Sequence, residues 1–85
     1  MTLSTELEAL AGKASNAMDV RVEVALFKPN SVYSAVRANA AGTKVIYTDH
    51  AGNEVTCWAQ EWSHPTVAPT IIAALKAQEE RDADL

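Results

Sequence analysis

The stretch Asn39-Ala-Ala-Gly-Thr-Lys-Val-Ile-Tyr-Thr-Asp-His-Ala-Gly-Asn-Glu-Val-Thr-Cys-Trp58 decides the fold. It contains two connectors of one design, Asn39-Ala-Ala-Gly42 and Asp49-His-Ala-Gly52. Asn or Asp at the first turn position can accept a backbone N–H two residues on, and the glycine three residues later can take the left-handed conformation of a three-residue hairpin with a bulge. The segments around them, Val32 to Ala38, Thr43 to Thr48 and Val55 to Glu61, read as extended. The turn pins the register of the second hairpin: Asp49 faces Asn53, Tyr47 faces Val55, Ile46 lies opposite Thr56, and Val45 faces Cys57. The same rule applied to the first hairpin sets Arg37 across from Val45 and Val36 across from Ile46. One face then carries Val45, Tyr47, Val55, Cys57 and Ala59. The other carries Val36, Ile46, Thr48, Thr56 and Trp58. Neither is plainly polar, so both should be at least partly covered, by helices or by a second copy of the chain.

Upstream, Val20 to Phe27 alternates, with Val20, Val22, Val24 and Leu26 on one side and Arg21, Glu23, Ala25 and Phe27 on the other. Period two favours a strand, although Val20, Val24 and Phe27 also share a helical face behind Asp19 as a candidate N-cap. Lys28-Pro29-Asn30-Ser31 ends the element in either case. Nearer the start, Thr5 and Glu8 have the spacing of a capping box, and Leu7, Leu10, Ala11 and Ala14 form an apolar stripe behind it, so a helix is expected there. Gly12 weakens it, and Ser15 and Asn16 favour a turn.

Downstream, Ser63-His64-Pro65-Thr66 closes the sheet. Ser63 or Thr66 can cap a last helix that tolerates Pro69 in its first turn. Its inward stripe is Val67, Ile71, Ala74, Leu75 and Gln78. Acidic residues crowd its far end, against the helix dipole, so residues 80–85 should fray. The fold class is therefore α+β: an N-terminal helix, an antiparallel meander of three or four strands, and a C-terminal helix, in a single domain spanning residues 1–85.

Composition narrows function by exclusion. The chain has 85 residues, of which 48% are hydrophobic and 6% aromatic, so one small core is all it can bury. A net charge of -4 is the wrong sign for a phosphate-binding surface, which argues against nucleic acid. No stretch approaches the roughly 20 apolar residues of a membrane span, and the first residues lack the pattern of a secretory leader, so a cytoplasmic location and no membrane partner are expected. A single cysteine, Cys57, suits a reducing compartment.

Few groups could do chemistry. His50, Cys57 and His64 are the candidates for a metal site or a nucleophile, but their seven-residue spacing matches no zinc or haem pattern. No G-x-S-x-G elbow or glycine-rich phosphate loop occurs. No catalytic residue, metal ligand or cofactor is assigned on this reading. Paired acids such as Glu79 and Glu80 read as a solvated end. The best binding candidates are Tyr47, Trp58 and Trp62, three of only five aromatic residues, because an exposed aromatic ring excludes much water at little entropic cost. Trp58 and Trp62 share strand parity, and Trp62, near the strand end, is expected to be the more exposed; the alternative is that both tryptophans close the core beneath the helices.

Ala68-Pro69-Thr70-Ile71-Ile72-Ala73-Ala74-Leu75-Lys76-Ala77 resembles the closing helix of the small phage and prophage proteins grouped as the phage ABA sandwich domain, where a Thr-Pro or Ala-Pro dipeptide leads an Ala- and Leu-rich helix. The order of elements is also similar: a Leu- and Ala-rich first helix, an Asp-led amphipathic segment like Asp19 to Phe27, and a short sheet. The aromatic-Thr-x-Ser-led helix common in the middle of those proteins is reduced here to Ser31-Val32-Tyr33-Ser34. The resemblance implies a phage or prophage accessory protein and transfers no catalytic residues. Function is accordingly expected in the interaction class, by binding a protein partner or by self-association, with inhibition of a host defence complex as its sharper form. A small enzyme or metal-binding domain using His50, Cys57 and His64, and a structural virion component, are the alternatives.

Overall fold

The structure, a computed structural model, describes residues 2–83. Helix α1 (Leu3–Ala9) is capped by Thr2, whose hydroxyl accepts the Thr5 N–H. The cap thus lies three residues before the Thr5 expected from the sequence. Ala11 (φ 52) and Gly12 (φ 85) then turn the chain out of the helix, so Ala11 and Ala14 are exposed rather than part of its apolar stripe.

The segment read as a strand is instead helix α2 (Asn16–Leu26), capped by the Ser15 hydroxyl accepting the Met18 N–H. The physical reason for the difference is burial on two sides. Met18 and Val22 join Leu7, Ala68, Ile71 and Leu75 in one core cluster, with Ala25 and Leu26 against it. Around the helix from that stripe, Val20 is buried and Phe27 packs edge-on to Tyr47 of the sheet at 5.8 Å. Such a helix has no single apolar stripe, and its valines at alternate positions imitate a strand. Only a narrow sector is left to water, where Arg21 makes a bidentate pair with Glu6 of α1 at 2.9 and 2.8 Å.

Three strands follow, β1 (Tyr33–Ala38), β2 (Val45–Asp49) and β3 (Glu54–Cys57), in the antiparallel order β1-β2-β3. The second hairpin has the expected register throughout, with Tyr47 opposite Val55 and Val45 opposite Cys57. Its turn is held as anticipated: Asp49 Oδ1 accepts the Ala51 and Asn53 N–H groups, both at 2.9 Å, and Gly52 takes φ 90. These donors hold the Asp49 carboxyl below its usual range, the Asn53 backbone contributing most. The first hairpin differs by one residue. Val36 pairs with Tyr47 and Arg37 with Ile46, not with Ile46 and Val45. Asn39 Oδ1 accepts from both Thr43 and Lys44, drawing Thr43 into the loop and lengthening it by one residue.

That one-residue shift reverses the meaning of the faces. Val36 moves to the side of Val45, Tyr47 and Val55, the side covered by α2. Arg37 moves to the open side with Lys44, Ile46, Thr48, Glu54, Thr56 and Trp58, and forms an ion pair with Glu54. The sheet is therefore covered on one face and largely polar on the other.

Helix α3 (Ala68–Ala83) packs against α1. Its inward residues are Ala68, Ile71 and Leu75; Ala74 is exposed, and Gln78 spans the gap to donate to the Ala25 carbonyl at 2.9 Å. Neither Ser63 nor Thr66 caps it. A turn does so instead, with Ala68 N–H donating to the His64 carbonyl at 2.8 Å. Pro69 occupies its second position, where no intrahelical donor is lost. Glu80 to Ala83 continue the helix where fraying was expected, and the remainder of that tail, residues 84–85, lies outside the described residues. Glu79 is not free in water: its carboxylate accepts the Ser4 N–H at 3.1 Å and the Ser4 hydroxyl, and these bonds lower its pKa. No helix among the described residues is long and apolar enough to cross a membrane.

Gly52 offers a direct check of the second turn. A Cβ there meets open space, so any penalty is one of backbone conformation alone. Gly52→Val should destabilise by about 1–3 kcal/mol in urea unfolding, and Gly52→Asn, which tolerates positive φ, by less.

Candidate functional site

Two constellations stand out once the fold is assembled, and they divide the expected aromatic residues between them. The first is a seam of buried polar groups where α2 meets the connector from β3 to α3. Asp19 and Glu23 are one helical turn apart on α2, at the boundary between its two apolar faces, and are 5% and 6% exposed. Glu23 Oε1 accepts the Gln60 N–H at 2.8 Å and the Trp62 indole N–H at 3.1 Å, while Oε2 accepts the Tyr47 hydroxyl. Asp19 Oδ1 accepts the Ser63 N–H at 2.7 Å. The Ser63 hydroxyl in turn accepts the Ser15 N–H at 2.8 Å and donates to the Ser15 carbonyl at 3.2 Å.

Sequence reading singled out Tyr47 and Trp62 but not the carboxylate that joins them. The available signal was Asp19 and Glu23 at i, i+4 within an apolar run: buried carboxylates require several donors, and a tyrosine, a tryptophan and loop N–H groups are suitable ones. Burial, and next the adjoining Glu23, push the Tyr47 phenol well above its usual range, so it remains a donor. Both Glu23 oxygens are engaged, and among the described residues no buried side-chain polar atom lacks a partner. With both oxygens occupied by donors from the sheet and the connector, the Glu23 carboxylate fastens both to α2. Trp62, expected to be the more exposed tryptophan, is instead drawn inward by its bond to Glu23 and packs against the helical core, while Trp58 is the one left in water.

The second constellation lies on the open face of the sheet. Trp58, one residue past β3, is 66% exposed, and Lys44 stands over its ring with Nζ 4.6 Å from the centroid. Beside it runs the edge of β3, where Glu54, Val55 and Thr56 are all exposed and Val55 is 52% so. Helix α2 packs mainly on β1 and β2. The opposite edge is less regular: β1 has a bulge between Tyr33 and Ala35, and the Ser34 hydroxyl bonds back to the Thr48 and Asp49 carbonyls.

The remaining sequence candidates are dispersed. His50 Nε2 meets the Asn30 carbonyl at 2.7 Å at the hairpin tip, His64 Nδ1 is engaged by Thr66, and Cys57 is half-buried in β3. Among the described residues no three His, Cys, Asp or Glu side chains are grouped so as to hold a metal ion. A groove of about 390 Å³ lies open to solvent between the C-terminal part of α2 and that of α3. Its charged residues, Lys28, Arg81 and Asp82, are all exposed and of mixed sign, so it offers no buried polar anchor for a ligand. Compared with known proteins, the chain matches no family model, no curated protein and no solved structure.

Proposed function

We propose that this chain is a protein-binding module, without catalytic activity of its own, whose contact surface is the β3 edge and the open sheet face at Trp58. The observation that carries this reading is a tryptophan two-thirds exposed beside an unpaired strand edge. An indole left in water forgoes the burial that a tryptophan normally gains in a folded chain, and when covered by a partner it becomes a typical centre of binding energy. Lys44 holds the ring in place and adds a cation, so the surface can take an extended segment on its edge and an apolar or acidic side chain on its face. The closing helix resembles that of the phage ABA sandwich proteins. On that basis the natural setting is a phage or prophage accessory protein acting in the cytoplasm, with inhibition of a host defence complex as the narrower form.

The test is retention of a partner by the purified chain and by Trp58→Ala. Because Trp58 is outside the core, the variant should melt at the wild-type temperature while binding a partner at least tenfold more weakly. A partner bound equally by wild type, by Trp58→Ala and by Val55→Asp would disprove this surface as the site.

A further inference from the structure

We infer that the occupant of the β3 edge is a second copy of this chain, paired antiparallel through β3 about a two-fold axis at Thr56, which joins two three-stranded sheets into one of six. The inference rests on the binding reading above and names its partner.

Backbone alternation shows which groups the edge presents. Asp49 N–H donates to the Asn53 carbonyl at 2.9 Å, so the 49–53 pair is hydrogen-bonded. In an antiparallel ladder bonded and non-bonded pairs alternate, so Val55 and Cys57 turn their backbone groups toward β2, while Glu54, Thr56 and Trp58 turn theirs outward. A two-fold axis at Thr56 pairs all three outward residues: Thr56 with Thr56 of the second copy, and Glu54 with its Trp58, in both directions. An axis at Glu54 would set two carboxylates face to face, and one at Val55 would leave Trp58 unpaired.

The side chains fit the same register on both faces. Lys44 extends the β2–β3 pairing opposite Trp58 and lies over its ring. Across the new junction the open-face row is therefore Thr48, Glu54, then Trp58 and Lys44 of the second copy. With strands about 4.8 Å apart, that ammonium reaches over the indole to the Glu54 carboxylate, and the symmetric pair repeats the contact. Glu54 already meets Arg37 of its own chain and so would lie between two cations. On the covered side, Val55, one of the exposed large apolar residues, falls directly opposite the second copy's Cys57 in a non-bonded pair, the closer of the two spacings. Helix α2 packs mainly on β1 and β2 and leaves Glu54, Val55 and Thr56 exposed.

Light scattering on the eluting protein should give twice the chain mass, with a dissociation constant tighter than about 100 μM. Thr56→Pro removes an N–H that the single chain leaves unpaired, and proline is tolerated at such edge positions, so this variant should be monomeric and keep the wild-type circular dichroism spectrum. Its melting temperature should no longer rise with protein concentration as a dimer's does. The register has its own test, which holds even if Thr56→Pro fails to fold. Oxidised Val55→Cys should crosslink between chains through the introduced thiol and Cys57, because opposed non-bonded positions lie within disulfide reach; Val55→Cys/Cys57→Ser should not crosslink. Monomeric wild type, a dimer unaffected by Thr56→Pro, or a crosslink that persists without Cys57 would each overturn the inference. A monomeric wild type that still retains a Trp58-dependent partner would overturn self-pairing alone and leave the binding surface standing.

Discussion

Glu23→Ala should destabilise the protein by roughly 3–5 kcal/mol, a large share of the 5–15 kcal/mol that holds a domain of this kind together. Removing the carboxylate strands three donors at once: the Tyr47 hydroxyl, the Trp62 indole N–H and the Gln60 N–H. A donor left fully unsatisfied costs about 1–3 kcal/mol, and these three are part-buried around a carboxylate that is itself 6% exposed, so water replaces the lost acceptor only in part. The sheet and the connector would lose their tie to α2 together. Urea unfolding followed by tryptophan fluorescence measures this well, since Trp62 is itself a donor to the deleted group. Glu23→Gln keeps one acceptor but points an amide at donors, so it should fall between wild type and Glu23→Ala. A Glu23→Ala variant within 1 kcal/mol of wild type would show that the seam does not anchor the connector.

Leu75→Ala should cost about 2–5 kcal/mol through lost burial and the cavity left behind. Leu75 is 2% exposed and shares the helical core with Leu7, Met18, Val22 and Ile71, contributed by all three helices. Because α1 and α3 meet mainly along this line, collapse around the truncated side chain would require two helices to shift together, which favours the upper part of the range. Its neighbour provides the control. Ala74 is exposed, so Ala74→Gln should leave the midpoint of urea unfolding nearly unchanged, whereas an inward-facing Ala74 would make that substitution as damaging as Leu75→Ala.

What was legible in the sequence depended on whether one local interaction decided the outcome. Asp49 and Gly52 fix their turn through bonds no more than four residues long, and the register of β2 with β3 follows directly. In the first hairpin the Asn39 side chain competes for Thr43, and that single contact shifts β1 by one residue and exchanges Val36 with Arg37 between faces. The α2 sequence carries both periods, the alternation that favours a strand and the Val20, Val24 and Phe27 face that favours a helix, and longer-range packing decides between them. Its apolar positions answer to the sheet on one side and to two helices on the other, a demand no periodicity within residues 16–26 can reveal. Similarly, Glu79 looked like a solvated acid because its partner, Ser4, lies at the opposite end of the chain. The aromatic candidates divided by environment: Tyr47 and Trp62 serve the interior and Trp58 faces outward, a distinction set by Glu23, whose importance only the assembled fold exposes.

The seam also governs how the layers behave together. Gln60 and Ser63 belong to an irregular connector, the sort of segment that usually lets two halves of a domain flex, yet both of their amides end on carboxylates of α2. With both amides held, the connector is pinned to one helix at two points, which sets the end of the sheet and α2 in a fixed relation to each other.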